Sequence, residues 1–254
     1  LVRALRAQPG IAWCPRKSVA RLQRSPATDS AATGDSTATG IWQALDDHGH
    51  TIAEAECVVL TAGPACNALL AASSAPTLPL QSVRGQLSWG VQDAGAAALP
   101  PFPVNGNGGL VAHVPRDAGL AWHMGSTFER DVDALPLTSA EVAAAHATNW
   151  RRLQELLPNA APTLQAAFAS TSHSDTAAVC AWASVRCTAT DRLPIVGPVD
   201  AQTLPGLWVC TAMGARGLTR AVLCGELLAA LVNAEPLPLD ARLTRAMVTA
   251  RLEK

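Results

Sequence analysis

Two short stretches of the 254-residue sequence hold residue types that suit chemistry. Gly214-Ala215-Arg216-Gly217-Leu218 stands between a run that reads as a buried strand and one that reads as an amphipathic helix. Glycines let the backbone adopt positive φ and let a ligand approach the main chain, and the first N–H groups of a helix present partial positive charge. Such a turn suits an anion, or the edge of a polar ring that gains negative charge. A tight turn with a surface arginine has the same sequence. The second stretch, Ser184-Val185-Arg186-Cys187-Thr188, sets Arg186 in an otherwise apolar strand, close to Trp182. An arginine facing inward needs an anion, because burying it unpaired is costly, and its planar fork matches a carboxylate. That anion is either part of a substrate or one of the protein's own 20 acids.

Other chemistries find less support. The sequence has no G-x-G-x-x-G, G-x-S-x-G or G-x-x-x-x-G-K-[ST], and Gly106-Asn107-Gly108-Gly109 lies between strand-like segments, where it reads as a turn. His113 and His123 fall on facing strands of a predicted hairpin without a third ligand, so they read as ordinary polar residues and no metal is expected. Cys14, Cys57, Cys66, Cys180, Cys187, Cys210 and Cys224 are odd in number and scattered, with no C-x-x-C. Buried free thiols in a reducing compartment, the cytoplasm, are expected rather than disulfides or zinc.

The elements that must position these residues alternate between two patterns. Val2 to Ala7 reads as the end of a helix stopped at Pro9-Gly10, and Val19–Gln23 and Ile41–Leu45 as strands joined by a mobile connection over residues 25–40. Cys57 to Gly63 is a continuous apolar run, which predicts a strand buried on both faces as in a parallel sheet, and Asn67 to Ala72 a short helix. Antiparallel β structure follows, with strands at Gly85–Trp89, Leu110–Val114 and Leu120–Thr127. The helix Glu141–Leu157 is predicted with Ser139 as its N-cap, and a further strand over Ala177–Arg186. Gly206–Ala212, the glycine turn and a helix from Leu218 to Val232 form a strand–turn–helix unit of the α/β kind.

The composition, 49% hydrophobic and 15% charged, permits a sizeable core and excludes a disordered tail. With 19 Lys+Arg against 20 Asp+Glu, the chain has no basic footprint for phosphate backbones. Its longest apolar stretch, Ala221 to Val232, is interrupted by Glu226 and too short to span a membrane, so no membrane association is expected.

Taken in order, the Val58–Gly63 strand, Leu80-Gln81-Ser82-Val83-Arg84-Gly85-Gln86-Leu87, Val185-Arg186-Cys187-Thr188-Ala189-Thr190-Asp191-Arg192-Leu193-Pro194-Ile195-Val196-Gly197 and Gly214–Leu218 with its helix resemble the FAD-dependent D-amino-acid oxidase (glycine oxidase-like) superfamily. The V-R-C-x-T-x-D-R-L-P form, Gly125-Ser126-Thr127-Phe128-Glu129-Arg130 and the Glu235–Asp240 tail are similar to the oxidoreductase part of the MnmC family of tRNA wobble-uridine modification enzymes. The resemblance implies an α/β (α+β) fold: a partial, Rossmann-like FAD-binding domain (residues 1–83 and 184–254) interleaved with a mixed, largely antiparallel β substrate domain (84–183). In the family FAD is gripped chiefly by an N-terminal strand–glycine loop–helix and an acidic residue on the next strand. Neither is in this sequence, which opens on Leu1 and is expected to be the C-terminal two-thirds of such a module, binding FAD poorly by itself.

The cofactor contacts this resemblance implies are Val19, Ala62, Gly63, Gly214, Ala215, Arg216, Gly217 and Leu218. The implied chemistry is oxidation of the secondary amine of 5-carboxymethylaminomethyl-(2-thio)uridine in tRNA. Hydride passes from the glycine carbon to flavin, the imine hydrolyses, glyoxylate leaves and aminomethyluridine remains. Flavin carries the reaction, so no catalytic acid or base is expected. Arg186 matches the family's carboxylate-binding arginine. Glycine oxidase-like members have an arginine where this chain has Ala215, so Arg216 is expected to aim at flavin or tRNA. A fused methyltransferase domain is the implied partner. The same superfamily contains glycine and D-amino-acid oxidases and dehydrogenases, a second reading; a flavin-free fragment that only binds tRNA or a partner domain is a third.

Overall fold

A computed structural model describes residues 2–25, 40–92, 98–117, 119–169 and 178–252. The chain divides into two compact units, Leu1–Leu80 with Thr188–Lys254, and Gln81–Cys187.

The first unit opens with a short exposed helix, α1 (Val2–Arg6), and a three-stranded antiparallel sheet of β1 (Arg21–Arg24), β2 (Trp42–Leu45) and β3 (Thr51–Ala55). Leu22, Trp42 and Leu45 are its buried residues, and the Trp42 indole N–H donates to the Pro205 carbonyl at 2.9 Å. Val19 lies just before β1 rather than inside it, and residues 26–39 of the expected connection lie outside the described residues. A second sheet has the order β11 (Ile195–Pro198), β12 (Leu207–Thr211), β4 (Val58–Leu60), the first pair antiparallel and the second parallel. The parallel pairing agrees with the apolar run from Cys57, but burial on both faces does not. β4 is three residues long at the edge of its sheet, with Val59 36% exposed and Cys57 exposed. β12 buries Leu207, Val209 and Thr211 alternately. Helices α2 (Cys66–Ala72), α5 (Gly217–Val232) and α6 (Ala241–Met247) complete the unit, and Val196, Cys224, Leu227 and Met247 form a shared core. The Asp240 carboxylate accepts from the Arg242 and Leu243 amides at the start of α6, satisfying donors that a helix cannot satisfy itself.

The second unit is one large sheet with helices on one face. Its strand order is β10 (Cys180–Ala189), β5 (Leu80–Val91), β8 (Gly119–Gly125), β7 (Gly108–Arg116), β6 (Val104–Gly106), and the two-residue β9 (Glu129–Arg130) also pairs with β5. Helix α3 (Ser139–Leu156) and the shorter α4 (Gln165–Ala169) cover the face where Leu99, Leu110, Trp122, Met124 and Leu153 pack as the core. The N-cap of α3 is Thr138, one residue before the serine expected from the sequence. Thr138 and Glu141 cap each other reciprocally, which selects the Thr-x-x-Glu spacing over Ser139.

β5 carries polar residues on its buried side. Arg84 Nη2 donates to Glu129 Oε2 and Glu141 Oε1, each at 2.6 Å, and its Nη1 to the Ala134 carbonyl at 3.0 Å. Gln86 Nε2 reaches the Val142 carbonyl, Asn149 Nδ2 donates to both the Gln86 carbonyl and Ser88 Oγ, and Ser88 Oγ pairs with His146 Nδ1 at 2.8 Å. With period-2 alternation, Gly85, Leu87 and Trp89 face the other way.

Three of the seven cysteines, Cys14, Cys57 and Cys180, are exposed, and Cys66, Cys187 and Cys224 are buried. The expectation of buried thiols therefore holds only for some, because Cys14 lies in irregular chain and Cys57 just before an edge strand. His113 and His123 do not meet across the hairpin. His123 opposes Val111, and the strand is irregular between Val111 and Val114, where His113 has φ 57° and its ring Nε2 lies 3.1 Å from the Leu99 carbonyl. No cluster of three metal-ligating side chains and no helix long and apolar enough to cross a membrane occurs among the described residues.

The Glu141 carboxyl is lowered to about 2 from its ordinary 4.5, first by the Thr138 amide and next by Arg84. A carboxylate with a depressed folded pKa contributes stability that is complete above its unfolded pKa and is lost as pH falls toward the folded one. The thermal midpoint of wild type minus that of Glu141→Gln should be positive above pH 4.5 and shrink between pH 4.5 and about 2. A gap that stays constant across this interval would show that the charge of Glu141 is not what stabilises the cap.

Candidate active site

Two glycine turns in the first unit share one geometry. β4 ends at Leu60 and Gly63 follows with φ 61°; β12 ends at Thr211 and Gly214 follows with φ 60°. Each glycine starts a 3₁₀ turn, Gly63–Ala65 or Gly214–Arg216, which leads into α2 or α5. Since β4 and β12 are parallel neighbours, with Leu60 opposite Val209, both turns lie at the carboxyl ends of adjacent strands. Open α/β sheets bind ligands at that place. No N-cap side chain bonds to either turn or to the start of α5, but at the first turn the Cys66 thiol lies against the Ala62 and Gly63 backbone.

The helix expected from Leu218 begins at Gly217, and the 3₁₀ turn occupies the preceding residues. Ala62, Ala215, Arg216 and Leu218 are exposed, Leu218 to 73%, while Val19, Gly63, Gly214 and Gly217 are half-buried. A side chain at Gly214 would make only ordinary contact with Thr188, 3.8 Å away, so the glycine is required by its positive φ and not by crowding.

Arg186 lies in the second unit, on β10. It is half-buried, its Nη2 donates to Ser126 Oγ at 2.9 Å, and its guanidinium lies over the Phe128 ring, 4.5 Å from the centroid. No carboxylate among the described residues is within ion-pair distance of it. Burial pulls its pKa below the usual arginine range. Gly85, Leu87, Ser126, Trp182, Ser184, Val185 and Arg186 line a cavity of about 190 Å³. Gly85 makes space for it, since a Cβ there would come within 2.6 Å of the Thr127 carbonyl and 3.0 Å of Arg186 Nη2. Ser126 is itself positioned by Arg152 of α3, whose Nη1 donates to the Ser126 carbonyl at 2.6 Å.

Arg186 is thus a half-buried guanidinium whose one side-chain acceptor among the described residues is a neutral hydroxyl, beside a cavity walled by Leu87 and Trp182; a planar fork of this kind matches a carboxylate geometrically. Arg84 shows the opposite case. It is 3% exposed and fully neutralised by two acids. The sequence contains no local sign of that role, because its partners lie 45 and 57 residues away.

A family model described as FAD dependent oxidoreductase (DAO) matches residues 12–231. The chain belongs to that family. Similar relatives are the tRNA 5-methylaminomethyl-2-thiouridine biosynthesis bifunctional proteins MnmC of Verminephrobacter eiseniae (52% identity, 99% of this chain, 40% of the relative) and Delftia acidovorans (52%, 99% and 38%). The chain thus spans about two-fifths of the length of these relatives. Among solved structures, glycine oxidase from Geobacillus kaustophilus aligns with TM-score 0.60 at 19% identity over 89% of this chain and 51% of that one. Amadoriase I from Aspergillus fumigatus aligns with TM-score 0.59 at 13% identity, over 91% and 48%. These likenesses show the FAD-dependent oxidoreductase fold, which agrees with the mixed α/β architecture read from the sequence.

The residues present fit the family's cofactor. The uncapped turn at Gly214 and the start of α5, following a strand with a parallel neighbour, present main-chain N–H groups, the kind of donor that a flavin edge or a phosphate requires.

Removing the charge from each arginine separates their roles. Arg186→Met, which keeps the length and deletes an uncompensated buried charge, should leave the thermal midpoint unchanged or raise it. Arg84→Met strands two carboxylates and should lower it, as measured by calorimetry at neutral pH. An equal fall in both variants would make Arg186 a structural residue.

Proposed function

We propose that this chain is the oxidoreductase part of a longer tRNA-modifying flavoenzyme, and that it oxidises the secondary amine of 5-carboxymethylaminomethyl-(2-thio)uridine at the wobble position. The observation that carries the reading is Arg186, a half-buried cation whose protein partners are a hydroxyl and an aromatic ring. The substrate's glycine arm ends in the carboxylate that such a site lacks. Bidentate binding at Arg186 fixes one end of the arm, and Leu87 and Trp182 flank the carbon beside it.

Bound FAD supplies the two-electron acceptor. The protein's own task is orientation. Arg186 holds the carboxylate, Ser126 and Phe128 hold Arg186, and the residues that would hold the cofactor are Gly63 and Gly214–Leu218 through their amides, with Ala62 and the Val19 backbone. The arm loses a hydride from the carbon next to the carboxylate and the amine proton to solvent. Water then adds to the resulting C=N bond, and glyoxylate and the aminomethyl group separate. Arg216, exposed at the start of α5, contacts flavin or RNA in this reading. The names of the similar relatives support the same reaction class, and a methyltransferase in the remaining length of the protein would act on the aminomethyl product. The site of action is the cytoplasm, where tRNA is modified.

For the full-length protein, Arg186→Ala should reduce kcat/KM for carboxymethylaminomethyl-tRNA by roughly 30-fold, about 2 kcal/mol, as expected for a lost carboxylate partner. Unchanged kinetics would remove Arg186 from the site. Faster turnover of free glycine or a D-amino acid than of the modified tRNA would favour an amino-acid oxidase instead.

A further inference from the structure

The helix-free face of the large sheet carries an aromatic and cationic stack away from Arg186. Trp89 of β5 and His123 of β8 are directly opposed, with their rings 6.1 Å apart and 16° from parallel. The Arg116 guanidinium at the end of β7 lies over the Trp89 ring, 4.1 Å from its centroid, and its Nη2 is 3.3 Å from His123 Nε2. Burial, and next the neighbouring Arg116 charge, lower the His123 pKa, and since a guanidinium can only donate, His123 Nε2 is the acceptor of their contact. Arg116 is exposed, and no carboxylate among the described residues pairs with it. Val111 and Val91 extend this face as exposed apolar residues.

A planar guanidinium stacked on an indole, with one side open and donors unused, is suited to a nucleobase and its phosphate. Proteins that take single-stranded RNA stack bases on aromatic and arginine planes in this way. A structural clasp on the β7–β8 hairpin would not need an exposed, unpaired cation.

Position along β5 then selects which base. Gly85, against Arg186, and Trp89 are on one face, four residues or about 13 Å apart at the usual strand rise. The substrate arm has four single bonds between its carboxyl carbon and the uracil ring, roughly 5 Å. Even an arm that ran along β5 would stop the ring carbon of a uridine held at Arg186 short of Trp89. We infer that Trp89, Arg116 and His123 form a stacking site for an unpaired base of the anticodon loop next to the modified uridine. This rests on the tRNA reading above.

The test uses the full-length protein and two fluorescent RNAs, an anticodon stem-loop and a duplex of equal length, with affinity read by anisotropy. Trp89→Leu and, independently, the exposed Arg116→Gln should each weaken stem-loop binding by roughly tenfold, as for loss of one stacked base, and change duplex binding far less. Equal losses on both RNAs would show a general charge effect and overturn the stacking site. So would unchanged stem-loop affinity in both variants while the wild type binds and oxidises modified tRNA, and that result would leave the tRNA reading intact. If the wild type neither binds the stem-loop nor oxidises modified tRNA, the tRNA reading fails and the stacking site with it.

Discussion

The ion pairs of Arg84 fix the second unit. A guanidinium buried in β5 can exist there only because Glu129 on β9 and Glu141 in the first turn of α3 both donate negative charge to it. Those two contacts tie three elements together and set which side of β5 lies beneath the helix. Gln86 and Ser88 continue the same buried side through Asn149, His146 and the Val142 carbonyl. Gly85, Leu87 and Trp89 are thereby turned to the side of the sheet away from the helices.

On that opposite side the charge logic reverses. Arg186 is held in place by a hydroxyl and a ring, neither of which neutralises it. The unit thus contains two arginines of contrasting kind: Arg84 is paired with two carboxylates, while Arg186, beside the cavity of about 190 Å³, has no carboxylate partner among the described residues. In the first unit the comparable groups are the main-chain amides of the turns at Gly63 and Gly214, placed by two parallel strands that end in step. Cationic side chain and amide donors are the two kinds of anion receptor that a flavin-dependent amine oxidation calls for.

Much of this was legible before the structure. Arg186 stands out because charge inside an apolar strand is costly, and Gly214–Leu218 because strand, glycine and helix follow in order. The parallel pairing of β4 was visible in its apolar run, but its exposure was not, since the run says nothing of how many neighbours a strand has. Thr138 displaced Ser139 as N-cap because the capping box depends on Glu141 three residues on, which the two candidates do not share. Arg84 escaped notice for a different reason: its partners are remote in sequence, and a buried ion pair leaves no local pattern. The stack of Arg116 on Trp89 and His123 is equally a product of strand register.

The most direct test of a waiting cation is to offer it an anion that cannot react. Titrating the FAD-loaded full-length protein with an alkylthioacetate, which has the glycine arm's carboxylate but sulfur in place of the amine, should perturb the flavin absorption spectrum saturably. Arg186→Met should weaken that binding by about 30-fold, the loss expected for one charge-assisted carboxylate contact. The same dissociation constant in both proteins would contradict the account.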